Sequence, residues 1–272
     1  MSEPAVLIEE RENILEVVFN RPDKLNAINL EMSTLLAEAT DRFGSRPDLR
    51  VMLIRANGRY FSAGADINDV TFYDQGDSPR TPSGFRKWYR SGHGCLHPIF
   101  DELEAIEKPV VVAHQGPCFG GGLEMSVSCD FRLAAKSATY AMPEITIGAL
   151  PGSGGTSRLT RLIGTHWARM FLMANLTISA DKALIMGLVH EVFEDADFEQ
   201  NVWDFCRNLA AQPPEVVGAA KLAIELVADL ERGQGRSVER LANSSLVLGD
   251  EYRRLVHEMR SALAAKHSSK QP

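Results

Sequence analysis

Three consecutive glycines, Gly120-Gly121-Gly122, run straight into Leu123-Glu124 and the apolar stretch Met125-Ser126-Val127. A glycine inside a regular element destabilises it by roughly 0.5–1 kcal/mol relative to alanine, so a triplet at the head of a helix needs a compensating use. The use read here is close approach of a ligand to bare backbone. Amides at such a turn face outward with a helix dipole behind them, which suits an oxyanion. Glu124 then falls in the first helical turn. A solvated glutamate complementing the dipole is the plain reading, but Leu123, Met125 and Val127 around it argue for a buried face. Twenty residues on, Ala141-Met142-Pro143-Glu144-Ile145 leads to Pro151-Gly152-Ser153-Gly154-Gly155-Thr156. Glu144 can be read simply as a first-turn residue after an N1 proline. A carboxylate amid apolar neighbours is costly as an anion, so both groups are expected to exchange protons nearer neutral pH than usual. Two such groups converging on one pocket make an acid/base pair, and bare amides nearby polarise a carbonyl.

The 272 residues suit one large domain, or one domain with an appendage. With 44% hydrophobic and 24% charged residues, the composition is that of an ordinary soluble globular protein. A net charge of −7 argues against nucleic acid as a partner, since nucleic-acid binders carry a basic stripe. Cys95, Cys118, Cys129 and Cys206 are scattered, without a Cys-x-x-Cys or a neighbouring histidine cluster. No metal site is expected, and reduced thiols in the cytoplasm are. Met1-Ser2-Glu3-Pro4 is acidic and lacks an apolar run, so no signal peptide is expected. No stretch approaches the 18 or so apolar residues of a membrane span, and no membrane partner is expected.

Along the first half, strands alternate with helices. Val6 to Glu9 and Ile14 to Phe19 read as an antiparallel pair turned through Glu10-Arg11-Glu12-Asn13. Leu30 to Phe43 has helical spacing and is expected to stop near Gly44. Val51 to Ile54 and Val110 to Ala113 are short apolar runs of the kind that form buried parallel strands, and Phe131 to Ala134 and Leu188 to Phe193 add two more. From Ser157 the pattern turns helical, with helices expected over 165–174, 179–186, 198–211, 214–231 and 250–266.

Other motifs admit two readings. Ser62-Ala63-Gly64-Ala65-Asp66-Ile67 leaves backbone uncovered after a buried strand, and also reads as a tight strand-to-helix turn with Asp66 as N-cap. Gly148 to Thr156 resembles a phosphate loop but lacks its Lys-Ser/Thr ending, which excludes a nucleotide hydrolase. Gly152-Ser153-Gly154 is too short for a serine-hydrolase elbow. His114 ends a buried strand and reads as a hydrogen-bonded core residue. Phe85, Trp88 and Tyr89 share helical spacing and read as packing, or as cover for an acyl chain.

Taken together these residues closely resemble the crotonase superfamily, specifically the enoyl-CoA hydratases. The matching segments are Asn20-Arg21-Pro22, Leu25-Asn26-Ala27, Ala63-Gly64-Ala65-Asp66-Ile67, Lys108-Pro109 and Gly120-Gly121-Gly122-Leu123-Glu124. They continue through Pro143-Glu144-Ile145, Gly148, Pro151 to Thr156, Arg158-Leu159 and Gly187-Leu188-Val189, covering nearly the whole chain in order.

The resemblance implies an α/β spiral of repeated ββα units over residues 1–200 that holds an acyl-CoA site. A C-terminal helical region, 201–272, would assemble a homotrimer or a dimer of trimers. It implies that the amides of Ala65 and Gly121 hold the thioester oxygen, and that Glu124 and Glu144 hold and activate water across the double bond. It assigns coenzyme A contacts to Lys24, Leu25, Ala27, Ala63, Asp66 and Ile67. The substrate is then an acyl-CoA thioester, with no cofactor beyond the coenzyme A it carries. Three departures concern the acyl group: a longer 71–98 segment, His114 to Phe119 before the glycines, and a C-terminal end without Phe-Lys. The Gly/Pro-rich first half of 71–98 is expected to be mobile, and its second half to present Phe85, Trp88 and Tyr89 as a lid.

Overall fold

The computed structural model describes residues 3–69, 81–91 and 95–268, and the chain divides into two units between Ala210 and Ala211. The first unit is mixed α/β. Its main sheet has six strands in the order β1 (Val6–Arg11), β2 (Ile14–Phe19), β3 (Val51–Ala56), β4 (Val110–His114), β6 (Phe131–Ala135) and β9 (Glu191–Phe193). Within this sheet, among the described residues, only β1 and β2 pair antiparallel, through the short turn at Glu12 and Asn13, both with positive φ; the other pairs in it are parallel. A second sheet joins β5 (Cys118–Phe119), β7 (Thr139–Ala141) and β8 (Ile178–Ser179).

The continuous apolar runs follow from burial on both faces of the main sheet. Successive strand residues point to opposite faces. Val110 and Val112 accordingly join the large core under helix α1 (Leu30–Ser45), while Val111 and Ala113 join a smaller core. Helix α7 (Phe198–Ala210) covers that second face with Phe198, Val202, Trp203 and Cys206. The first unit closes after α7, at Ala210. Helix α1 starts where Asn29 accepts a 3.0 Å hydrogen bond from Met32 N–H, and it runs through Gly44 to Ser45.

The remaining helices of the first unit are α2 (Pro82–Ser91), α3 (Leu96–Ala105), α4 (Gly121–Ser126), α5 (Gly155–Ala174) and α6 (Ala180–Ile185). Helix α5 is bent at Gly164 (φ 73°, ψ 164°), where two helical stretches meet; the helix expected from Thr165 is the second of them, and an unexpected stretch from Gly155 precedes it. The strand expected from Leu188 occupies only Glu191–Phe193. Residues 70–80, which hold most of the first half of 71–98 expected to be mobile, and residues 92–94 lie outside the described residues.

The second unit is three helices: α8 (Pro214–Ala228), α9 (Arg232–Leu248) and α10 (Asp250–Ser268). Helix α9 was not foreseen, since Gly233, Gly235 and three serines weaken its signal; a capping box between Glu231 and Gln234 starts it. Among the described residues no helix is long and apolar enough to cross a membrane.

Candidate active site

Parallel strands deliver their following loops to one end of a sheet, where ligands of such folds collect. Here β3 leads to Ser62–Ile67, β4 and β5 lead to Gly120 and α4, and β7 leads to the 3-10 turn Pro143–Ile147. Short parallel bridges, Ile28 with Ala65 and Ser62 with Cys118, stitch the first two loops in place.

These loops surround a cavity of about 720 Å3. That size suits a small-molecule ligand. Its wall includes Ala65, Gly121, Glu124 and Glu144, as well as Ala27, Ala63, Asp66 and Ile67. Lys24 and Leu25 are not part of it. Lys24 is exposed at the end of the Pro22–Lys24 turn, and Leu25 turns its carbonyl to Ala63 N–H at 2.9 Å. Among the described residues Asp66 caps no helix. Its carboxylate pairs with Arg21 at 3.1 Å and accepts from Asn68 N–H at 3.1 Å, which holds the loop closed.

Two amides stand side by side in the wall. Ile28 occupies the bonded edge of the bridge, giving its N–H to Gly64 O and its carbonyl to Asp66 N–H. The N–H of Ala65 therefore points away from Ile28. A Cβ on Gly121 would sit 3.3 Å from Ala65 N, and one on Gly64 would sit 3.2 Å from Gly121 N, so both loops meet backbone to backbone. Gly121 N–H is the first of α4, where no intrahelical acceptor exists. Among the described residues neither amide donates a hydrogen bond.

The glycine triplet is spent on these contacts. Gly120 adopts φ 50°, ψ −127°, a conformation costly for any residue with a Cβ, and a Cβ there would lie 2.9 Å from Glu144 Oε1. A Cβ on Gly122 would strike Ser62.

Glu124 is 5% exposed. Its Oε1 accepts from Ser153 N–H at 2.7 Å and Gly155 N–H at 3.1 Å, at the start of α5. Burial pushes its pKa up to about 7 against the pull of those donors, and the nearby Glu144 charge pushes the same way. Burial raises Glu144 as well. Glu144 Oε2 is buried and, among the described residues, has no hydrogen-bond partner. A carboxyl oxygen in that state is more stable protonated than charged.

The sequence reading missed the Pro151–Gly155 turn as part of this site. Its residues read as a phosphate loop, as a serine-hydrolase elbow and as a segment of the family pattern, none of which assigns donors to Glu124, yet the turn supplies both of them. In the structure Gly154 is left-handed (φ 91°) immediately before α5 and turns these N–H groups toward Glu124, an aim that no residue type records. His114 is a core residue as expected. It is fully buried, bonded to Tyr140 Oη at 3.1 Å and Ser126 Oγ at 2.9 Å, and burial drives its pKa down to about 3.

Phe85, Trp88 and Tyr89 of α2 form an aromatic side of the cavity, with Trp88 and Tyr89 ring centroids 5.3 Å apart. Trp88 is only 9% exposed and also belongs to the main core, whereas Phe85 is 38% exposed.

Comparison with known proteins places these features in context. The model of the family described as enoyl-CoA hydratase/isomerase matches residues 9–258. The chain is 34% identical over 223 residues to the short-chain-enoyl-CoA hydratase of Clostridium acetobutylicum, covering 80% of each. It is 32% identical to 4-chlorobenzoyl coenzyme A dehalogenase-2 of an Arthrobacter species, covering 82% of this chain and 79% of the relative. It is 34% identical to the carnitinyl-CoA dehydratase of Salmonella agona, covering 80% and 77%. Among solved structures, an enoyl-CoA hydratase from Thermoplasma volcanium superposes with a TM-score of 0.83 at 31% identity, over 94% of this chain and 97% of that one.

Proposed function

The chain belongs to the enoyl-CoA hydratase/isomerase family, of crotonase fold, and we propose that it adds water to a 2-enoyl-CoA to give a 3-hydroxyacyl-CoA. The observation that carries this reading is the pair of raised-pKa carboxyls, Glu124 and Glu144, facing one cavity beside two uncommitted amides. In this chemistry the thioester oxygen accepts from Ala65 and Gly121 N–H. Water bonds through oxygen to the β-carbon, the π electrons move to the thioester oxygen as an enolate, and the α-carbon then takes a proton. Each oxyanion donor of this kind is typically worth about 10²–10³ in rate.

The environments divide the work between the acids. Glu124, whose Oε1 is fixed by two N–H groups at the head of α5, is assigned to take the proton from water. Glu144, with a buried unpartnered oxygen, is assigned to give the proton to the α-carbon. Exchange with solvent restores both before the next turnover. The pair titrates as a unit, so the apparent values belong to both.

The substrate brings its own coenzyme A, and the chemistry uses no other cofactor. Ala27, Ala63, Asp66 and Ile67 on the cavity wall, with Lys24 and Leu25 next to them in sequence, are the proposed coenzyme contacts. A trimer or dimer of trimers is part of the same reading. Its support is the apolar surface of the second unit, where Leu222, Ile224, Leu226 and Leu241 are 46–73% exposed. So is a cytoplasmic setting, where the four free, buried cysteines stay reduced.

Double-bond isomerisation uses the same cradle but only one acid is needed to shuttle a proton, which leaves the second carboxyl unexplained. A non-catalytic acyl-CoA binder would leave both unexplained. The test is absorbance of the conjugated enoyl thioester with crotonyl-CoA and with longer or branched analogues. Loss of the band with formation of the 3-hydroxyacyl product supports hydration. Binding without any spectral change, across all of them, overturns it.

A further inference from the structure

Arg158 lies on α5, one turn behind the residues that grip Glu124, and its side chain is 9% exposed. Its guanidinium reaches in three directions. Nη1 donates to Ser153 O at 3.3 Å; Nε and Nη2 donate to Glu104 Oε2 at 2.9 and 2.8 Å; Nη2 also meets Asp101 Oδ1 at 2.5 Å. Ser153 is thus held at both ends, its N–H on Glu124 and its carbonyl on Arg158. Gly154 lets this happen. It sits at φ 91°, and a Cβ on it would stand 1.9 Å from Arg158 Nη1. A Cβ on Gly155 would meet Glu124 Cγ at 2.6 Å. The turn is therefore clamped between an arginine on one side and the candidate base on the other.

We propose that Arg158 is a positioning residue for Glu124, fixing the Ser153–Gly155 turn so that both of its N–H groups stay on Glu124 Oε1, with Asp101 and Glu104 of α3 fixing Arg158 in turn. Neither the family match nor the relatives' names assign this role. As a role in catalysis it rests on the hydration reading, whereas its effect on the Glu124 carboxyl does not.

The charges facing Glu124 are Glu144 from the 143–147 turn, Arg158 from α5, and, behind Arg158, Asp101 and Glu104 from α3. Arg158 favours the Glu124 anion both by its charge and by holding the donors. Asp101 and Glu104 offset that charge. Substitutions on the two sides of the ion pair therefore have opposite signs. Arg158→Gln frees the turn, removes the cation and leaves two carboxylates, so Glu124 binds its proton more tightly. Glu104→Gln leaves the cation less neutralised, so Glu124 binds its proton less tightly. A scaffold role alone lowers stability in both variants and gives no such opposition.

The experiment follows the protonated-carboxyl infrared band of Glu124, identified by its loss in Glu124→Gln, against pH in the full chain, alongside the pH profile of hydration. Arg158→Gln is expected to tighten proton binding at Glu124 at least about threefold, a modest change for loss of a close opposite charge that is partly neutralised. Arg158→Lys keeps the charge but loses the fork that spans Ser153 and Glu104. It is expected to keep the midpoint near that of the parent while kcat falls and KM holds. Should Arg158→Gln not fold, Glu104→Gln and Arg158→Lys carry the same test. An unchanged midpoint in Arg158→Gln, or a shift in the same direction in Glu104→Gln, overturns the proposal. If no enoyl-CoA is hydrated yet the midpoints move as stated, the hydration reading fails and the clamp on Glu124 stands.

Discussion

Ser153 N–H donates a 2.7 Å hydrogen bond to Glu124 Oε1 across 29 residues of chain. This one contact joins the two glycine-rich turns into a single site. It also sets up an opposition at Glu124, where donated N–H groups and the α5 dipole favour the anion while burial and Glu144 disfavour it. The balance near neutral pH is what a group that must both take and release protons requires.

Glu124→Gln and Glu144→Gln are each expected to lower hydration at least about 10²-fold, the lower range for positioned acid/base groups. Coenzyme A binding and the fold should persist, because glutamine keeps the shape and the wall proposed to contact the coenzyme is formed by other residues. Near-parental turnover in either variant on the best substrate removes that residue from the reaction.

The pH dependence follows from the sign of the shift. Glu124 is raised from 4.5 to about 7 in the folded chain, so the folded state holds the extra proton between those values. Its contribution to stability is present in full below about pH 4.5 and is lost as pH rises through about 7. The loss amounts to roughly 3 kcal/mol at most. Glu124→Gln should therefore gain Tm relative to the parent as pH increases across this window. In the same window kcat/KM should rise as Glu124 ionises. A Tm difference that does not vary with pH counts against the shift.

Periodicity and apolar runs carried most of the first unit. Val51–Ile54 and Val110–Ala113 could be read as buried parallel strands because helices cover both sheet faces, and the structure has them so. The two acids stood out by their apolar neighbours, each with a plain helix-start reading beside it, and the resemblance singled them out; the structure brings both to one cavity wall. The Pro151–Gly155 turn was not, since its function is to aim backbone N–H groups, and backbone donors leave no residue-specific mark. Lys24 and Leu25 were carried over from the family pattern and lie off the cavity wall. Helix α9 was masked by glycines, one of which, Gly235, is buried with its missing Cβ 3.6 Å from Val227.

Gly120→Ala tests whether the first glycine of the triplet is reserved for the site. Its positive φ costs a non-glycine residue of the order of 1–3 kcal/mol. The added methyl also meets Glu144 Oε1 at 2.9 Å, so the carboxyl must move. We expect a lower Tm and a fall in kcat of more than about tenfold, with coenzyme A affinity little changed. Full activity in this variant shows that Glu144 needs no fixed position.

Assembly is testable without substrate. On α8, Leu222 and Leu226 recur at one helical turn, 46% and 47% exposed; Leu230, expected to extend the stripe, lies past the helix end at Ala228 and is 38% exposed. Burying such a stripe against another copy is favourable at roughly 25 cal/mol per Å2 of apolar surface. Light scattering at micromolar concentration should give the mass of three or six chains. A stable monomer of about 30 kDa refutes the trimer.

Trp88 joins two roles that one variant separates. Its indole lines the cavity beside Phe85 and Tyr89, and it is also 9% exposed within the main core. Truncating a buried tryptophan usually costs roughly 3–5 kcal/mol, so Trp88→Ala is expected to lower Tm whatever else it does. The lid reading adds a second consequence. Removing one ring of the aromatic wall enlarges the cavity on the side bounded by Phe85 and Tyr89, where the acyl group is proposed to lie. Short enoyl groups then lose contact, while long or aromatic ones gain room. The expected result is a changed ranking of kcat/KM among short, long and aromatic enoyl-CoAs, measured at a temperature where the variant is fully folded. A parental ranking together with a large loss of Tm assigns Trp88 to the core alone.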